Sequence, residues 1–108
     1  MSDAAWEKLD GLDPEAAAFP ARARVAGESI IILKTPAGFR GVQRTCPHQQ
    51  VSFMDALLVG NGTMLRCSEH AFTFKLSTGK GVNCRGFDSA VYDVRAEDGS
   101  LFARPAPE

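Results

Sequence analysis

The chain has 108 residues, 44% of them hydrophobic and 23% charged, with a formal net charge of −1, the make-up of one globular domain long enough to bury about 60–70% of its unfolded surface. So even a balance leaves no basic footprint for nucleic acid, and no stretch approaches the roughly 18–20 apolar residues that a bilayer requires. The start "MSDAAWEKLD" lacks the basic opening and apolar run of a signal peptide, so a soluble cytoplasmic protein is expected.

In chain order, the first patterned stretch is "DPEAAAF" at 13–19. Asp13 can cap it and Pro14 can take its first position, but it is too short for more than one helical turn. Short candidate strands follow: "FPARARV" (19–25), "SIIIL" (29–33), "FRGVQRT" (39–45), "TMLRC" (63–67), "FTFKL" (72–76), "AVYDVRAE" (90–97) and "LFARP" (101–105). Turn residues separate most of them: Ala26-Gly27, Pro36-Ala37-Gly38, Asn61-Gly62, Thr78-Gly79 and Asp98-Gly99. Asp98-Gly99 is the best hairpin signal, because a tight turn needs positive φ and both residues tolerate it. Many short strands at close spacing predict an all-β fold, a sandwich or a barrel. No internal repeat is visible apart from two cysteine–histidine loops, and the only low-complexity stretch is the terminal "PAPE".

Those loops concentrate the chemistry. Both histidines and two of the three cysteines fall in "TCPHQQVSFM" (45–54) and "RCSEHAFTF" (66–74). An odd cysteine count in a reducing compartment argues for metal binding or catalysis over disulfides. Each loop begins at the end of a candidate strand, so a β scaffold can bring Cys46, His48, Cys67 and His70 to one object. Thiolate sulfur and imidazole nitrogen suit zinc and iron–sulfur clusters alike, and two of each complete a set of four. Structural zinc sites usually separate paired ligands by two or more residues, which the single residue between Cys46 and His48 fits poorly. A two-iron core offers a second metal, so each loop can send its cysteine to one iron and its histidine to the other.

Cys46-Pro47-His48, an eighteen-residue gap and Cys67-x-x-His70 resemble the CxH…CxxH motif of Rieske proteins. Phe74 and Thr78-Gly79 fall where that family has an aromatic residue and a "TG" turn, "WEKL" is placed like its first strand, and "AVYDV…EDGSLF" like its last hairpin. The resemblance implies a small antiparallel β-sandwich with an inserted rubredoxin-like cluster-binding subdomain over about 45–85, the whole of 1–108 forming one Rieske domain. It implies one [2Fe-2S] cluster per chain, with Cys46 and Cys67 on an inner iron and His48 and His70 on an outer iron close to solvent. Gln50 and Ala71 stand where the family mostly has glycine, and Ser68 where a proline is common; none of these departures removes a ligand. High-potential relatives carry two bridging cysteines where this chain has Val51 and Glu69, and a cluster-bonding serine where it has Phe72. Fewer donors to the cluster mean a lower potential, so the chain is similar to the low-potential Rieske ferredoxins of aromatic-ring-hydroxylating oxygenases.

That likeness implies a one-electron carrier and not an enzyme: a monomer that passes electrons from a flavin-dependent ferredoxin reductase to a terminal Rieske oxygenase, without nucleic-acid or membrane partners. Neutral imidazoles make the oxidised centre formally neutral, whereas four thiolates would make it −2, so histidine ligation raises the potential above the roughly −400 mV of plant-type ferredoxins. Two other classes compete with this one. One is the Rieske-like accessory subunit of a nitrite reductase, which shares the fold but generally lacks the ligands. The other is a zinc-stabilised binding module. Outside the motif, Cys84 reads as a packed thiol ahead of a role in the loop over the cluster. Glu69 reads equally as a solvated carboxylate and as a docking or tuning charge. Phe53, Met54 and Phe72 are candidates for an apolar collar around the docking face, with simple loop packing the expected use of at least one of them, and the remaining arginines and lysines read as scattered surface.

Overall fold

A computed structural model describes residues 6–47, 52–68, 72–83 and 88–106. Its first hairpin explains the most apolar run in the sequence. Strand β2 (Ala21–Val25) turns through Ala26 and Gly27, both at positive φ, into β3 (Glu28–Thr35), with Val25 opposite Glu28 and Ala21 opposite Ile32. Ile30, Ile31, Ile32 and Leu33 are all buried. A strand apolar on successive residues must be covered on both faces, and β3 is: Ile30 and Ile32 enter one core, Ile31 and Leu33 another.

Strand β4 (Gly38–Gln43) pairs antiparallel with β3 on one side and with β8 (Val91–Glu97) on the other. Strand β9 (Ser100–Pro105) forms the closing hairpin with β8, with Asp98 at φ 52° and Gly99 at φ 76° in the turn, and β1 (Glu7–Leu9) pairs with β9. The six strands run in the order β1-β9-β8-β4-β3-β2. The sheet curls until its two edges approach, because Leu9 from one edge and Val25 from the other share a core with Ile30, Ile32, Tyr92, Leu101 and Ala103. The Ala26 amide donates to the Glu7 carboxylate at 3.0 Å across that seam. The expected sandwich is thus one antiparallel sheet folded on itself, and the helix-like stretch is a turn in which Asp13 accepts from the Glu15 and Ala16 amides.

A second sheet covers the other face of β3 and β4. It has three antiparallel strands in the order β5-β6-β7: β5 (Leu57–Val59), β6 (Met64–Arg66) and β7 (Thr73–Lys75). Between the sheets lies the second core, formed by Ile31, Leu33, Val42, Cys46, Phe53, Leu65, Cys67, Phe74 and Leu76. Arg40 ties the layers together: its Nε donates to the Leu76 carbonyl at 3.0 Å and its Nη1 meets Asp93 at 2.7 Å. Gly79, at φ 81°, seats the turn after β7 on the 88–90 segment, where the Ser89 amide donates to the Gly79 carbonyl at 2.7 Å. No helix among the described residues is long and apolar enough to cross a membrane.

Candidate cluster site

Two segments that carry the cysteines leave the sheets in the same way. After β4 the chain closes on itself before the first loop: the Phe53 amide donates to the Arg44 carbonyl at 2.9 Å, and Thr45 and Ser52 form an antiparallel bridge. Six residues, 46–51, lie between those bridged positions. Between β6 and β7, Arg66 pairs with Thr73, and six residues, 67–72, lie inside that pair. The Cys67 amide donates to the Phe72 carbonyl at 2.9 Å. Each cysteine is therefore the first residue inside a pinned pair, and seven positions after each comes a phenylalanine, Phe53 or Phe74.

Burial follows the same correspondence. Cys46 and Phe53 are 0% exposed, Cys67 2% and Phe74 1%. The phenyl rings meet edge to face with centroids 5.8 Å apart, a favoured geometry for aromatic pairs. Polar side chains fix the roots of the loops. The Gln43 amide nitrogen donates to the Thr45 carbonyl at 2.6 Å while its oxygen accepts from the Ala90 amide at 2.8 Å. Ser52 Oγ accepts from the Met54 amide at 3.1 Å and starts the 3-10 turn Phe53–Asp55. Asn83 accepts from the Thr73 amide at 2.9 Å at the return of the second loop.

The structure thus brings two of the four sequence-predicted ligands, Cys46 and Cys67, into one core. His48 and His70 lie outside the described residues, as do Gln50, Val51, Glu69, Ala71 and Cys84; among the described residues no group of three potential metal ligands occurs. The donor chemistry fits the sulfur-ligated half of a cluster: soft thiols, shielded from water, on opposed loops with braced backbones. Of the two readings of the apolar residues, Phe53 takes packing over the collar, because its ring is wholly inside the second core, while Met54 and Phe72 are half-buried against that core.

Sequence reasoning missed a charged feature beside the first loop. Arg22, Arg24 and Arg44 do not scatter: they line adjoining grooves that reach Thr45 and Ser52 at the loop's root. Period-two spacing puts Arg22 and Arg24 on one strand face and was legible, whereas Arg44 joins them only through the pairing of β2, β3 and β4.

Comparison with known proteins agrees with this geometry. A ferredoxin component of an alkene monooxygenase system from Xanthobacter autotrophicus is 24% identical over 83 residues, which cover 77% of this chain and 67% of its own. Among solved structures, a protein assigned as the small subunit of an NADH-dependent nitrite reductase from Mycobacterium tuberculosis superposes with a TM-score of 0.79 at 15% identity, covering 98% of this chain and 100% of its own. A chain from the complex of reduced oxygenase and oxidized ferredoxin in carbazole 1,9a-dioxygenase gives 0.71 at 19% identity, with 95% of each chain covered. At these identities the two structures share the fold. Residues 8–103 match the Rieske [2Fe-2S] domain, and with nearly the whole length matched, the chain belongs to the Rieske [2Fe-2S] family.

Proposed function

We propose that the protein is a one-electron carrier that takes electrons from a flavin-containing reductase and passes them to a terminal oxygenase, with Cys46, His48, Cys67 and His70 holding its cluster. The observation that carries this reading is the matched placement of Cys46 and Cys67, each the first residue inside a braced six-residue segment and each buried in the same core. The bound [2Fe-2S] group supplies a reversible one-electron couple. The chain's part is to fix the thiolates by the Thr45–Ser52 and Arg66–Thr73 pairs and to keep water from them with Phe53, Phe74 and Leu65. With Cys46, His48, Cys67 and His70 all holding the cluster, no iron position would be left for a substrate, which supports a carrier over a catalyst. The alkene monooxygenase ferredoxin component supports an oxygenase as the electron acceptor. The subdomain from about 45 to 85 would be the part a partner approaches, and the protein would work as a cytoplasmic monomer.

The test is optical and analytical. As isolated, the protein should be red-brown, hold two irons and two sulfides per chain, and bleach on one-electron reduction. A colourless protein containing zinc would defeat the reading in favour of a zinc-stabilised module, and a folded, metal-free protein would favour an accessory subunit.

A further inference from the structure

We propose that the groove lined by Arg22, Arg24 and Arg44 is the docking surface for an acidic patch on the protein's electron-transfer partner; this rests on the carrier reading above. Arg22 and Arg24 project from β2, and Arg44 follows β4 two residues before Cys46. With Ser29, Ile30, Thr45 and Ser52 they bound a groove of about 550 Å³. A second groove of about 630 Å³ shares Arg24, Ser29, Arg44 and Thr45 with it and extends the surface toward Gly27.

Charge is what sets this surface apart. The three arginines are exposed. Among the described residues none forms an ion pair; the ion pairs found engage Arg40, Arg95 and Arg104 with Asp93 and Glu97. Glu28 borders the second groove, leaving a surplus of cations there. At the opposite end of the sheet, Glu97 and Asp98 flank the closing turn. In a chain of net charge −1, three cations outside the ion pairs found thus gather at the root of a proposed ligand loop. Carboxylates on a partner complement that surface and would be steered to the end of the molecule from which an electron leaves.

Two measurements test this, one of them independent of the cluster. Poly-glutamate should bind the protein in calorimetry, and the double variant Arg24→Glu/Arg44→Glu should weaken binding about tenfold or more, whereas Lys34→Glu/Lys75→Glu, with the same change in net charge, should alter it less than about twofold. Equal losses in both variants, or no binding by the unaltered protein, would overturn the proposal. Inorganic phosphate binding as tightly as poly-glutamate would also overturn it, in favour of a small-anion pocket.

The second measurement follows electrons. Ferricyanide takes one electron from the reduced protein and becomes ferrocyanide, and hexaamminecobalt(III) takes one to become cobalt(II). Raising salt shortens the screening length from about 30 Å at 0.01 M to about 8 Å at 0.15 M. That should slow the anionic oxidant and speed the cationic one, against the sign that the net charge dictates. In Arg24→Glu/Arg44→Glu the ferricyanide rate at low salt should fall about tenfold and its salt dependence should invert. A wild-type rate with ferricyanide that rises with salt would sink the idea. A protein that holds no cluster fails the carrier reading instead, and the poly-glutamate titration still decides the groove.

Discussion

Each proposed cysteine ligand shares its surroundings with a phenylalanine, so the two residue types make separable predictions. Replacing Cys46 or Cys67 by Ser should abolish visible absorption and iron content while Cys84→Ser retains both; equal iron in all three would refute the ligand assignment. Truncating Phe53 to Ala leaves every proposed ligand in place but removes a wholly buried ring and its edge-to-face partner, which should cost about 3–5 kcal/mol in urea unfolding. A loss below about 1 kcal/mol would mean that the ring lies outside the core. The cysteines were legible in the sequence because their chemistry is rare and their spacing is specific. Phe53 was not: a phenylalanine after a ligand loop reads the same whether it faces a partner or the interior, and only its position opposite Phe74 decides.

Local turn chemistry predicted most of the elements. Ala26-Gly27, Asn61-Gly62 and Asp98-Gly99 all adopt positive φ, and all the strands beside them but β5 form within a few residues of the stretches that announced them. Strand β5 was not foreseen, since its three residues have no alternation to read and Leu57 stays 58% exposed. The neighbours β4–β8 and β1–β9 were equally invisible, because pairing between strands far apart in sequence is set by which faces they bury and not by the turns beside them. Two glycines at almost the same φ separate backbone strain from packing. A Cβ on Gly79 would lie 1.8 Å from the Ser89 carbonyl oxygen, whereas one on Gly27 would meet nothing within 4 Å. Gly27→Ala should therefore cost about 1 kcal/mol of left-handed strain. Gly79→Ala should cost clearly more, read as a larger fall in urea midpoint, because the 88–90 segment must move; equal costs would refute that docking.

Over the whole molecule, a single sheet that closes on itself couples ionisation to stability at Tyr92. Burial, reinforced by the nearby Glu28 carboxylate, raises this phenol above its ordinary value of 10.0. The folded state then holds the proton more tightly than the unfolded chain. The stabilisation is fully present below pH about 10 and is lost as pH rises through the folded value. Tyr92→Phe should flatten the alkaline limb of a stability–pH curve measured by urea unfolding, and an unchanged limb would remove Tyr92 as its source. The missing bridge and missing serine predict a midpoint potential near about −150 mV, the low end of the Rieske range; a clearly positive value in a potentiometric titration at neutral pH would contradict the low-potential assignment. The sequence carried enough to place the chain in its family, but the gathering of Arg22, Arg24 and Arg44 needed the three-strand register.

Because Cys46 and Cys67 are packing residues of the second core as well as proposed ligands, that core would be built partly from the anchor points of a cofactor. Anything that binds the native chain and not the unfolded one adds to its stability, so each loading event would also be a folding event. The lifetime of the polypeptide would then depend on iron and sulfide supply. Freshly made chains awaiting their cluster should be cut by a protease at a concentration that leaves loaded chains whole, with the earliest cleavage between residues 44 and 76, while the six-stranded sheet persists as a resistant remnant.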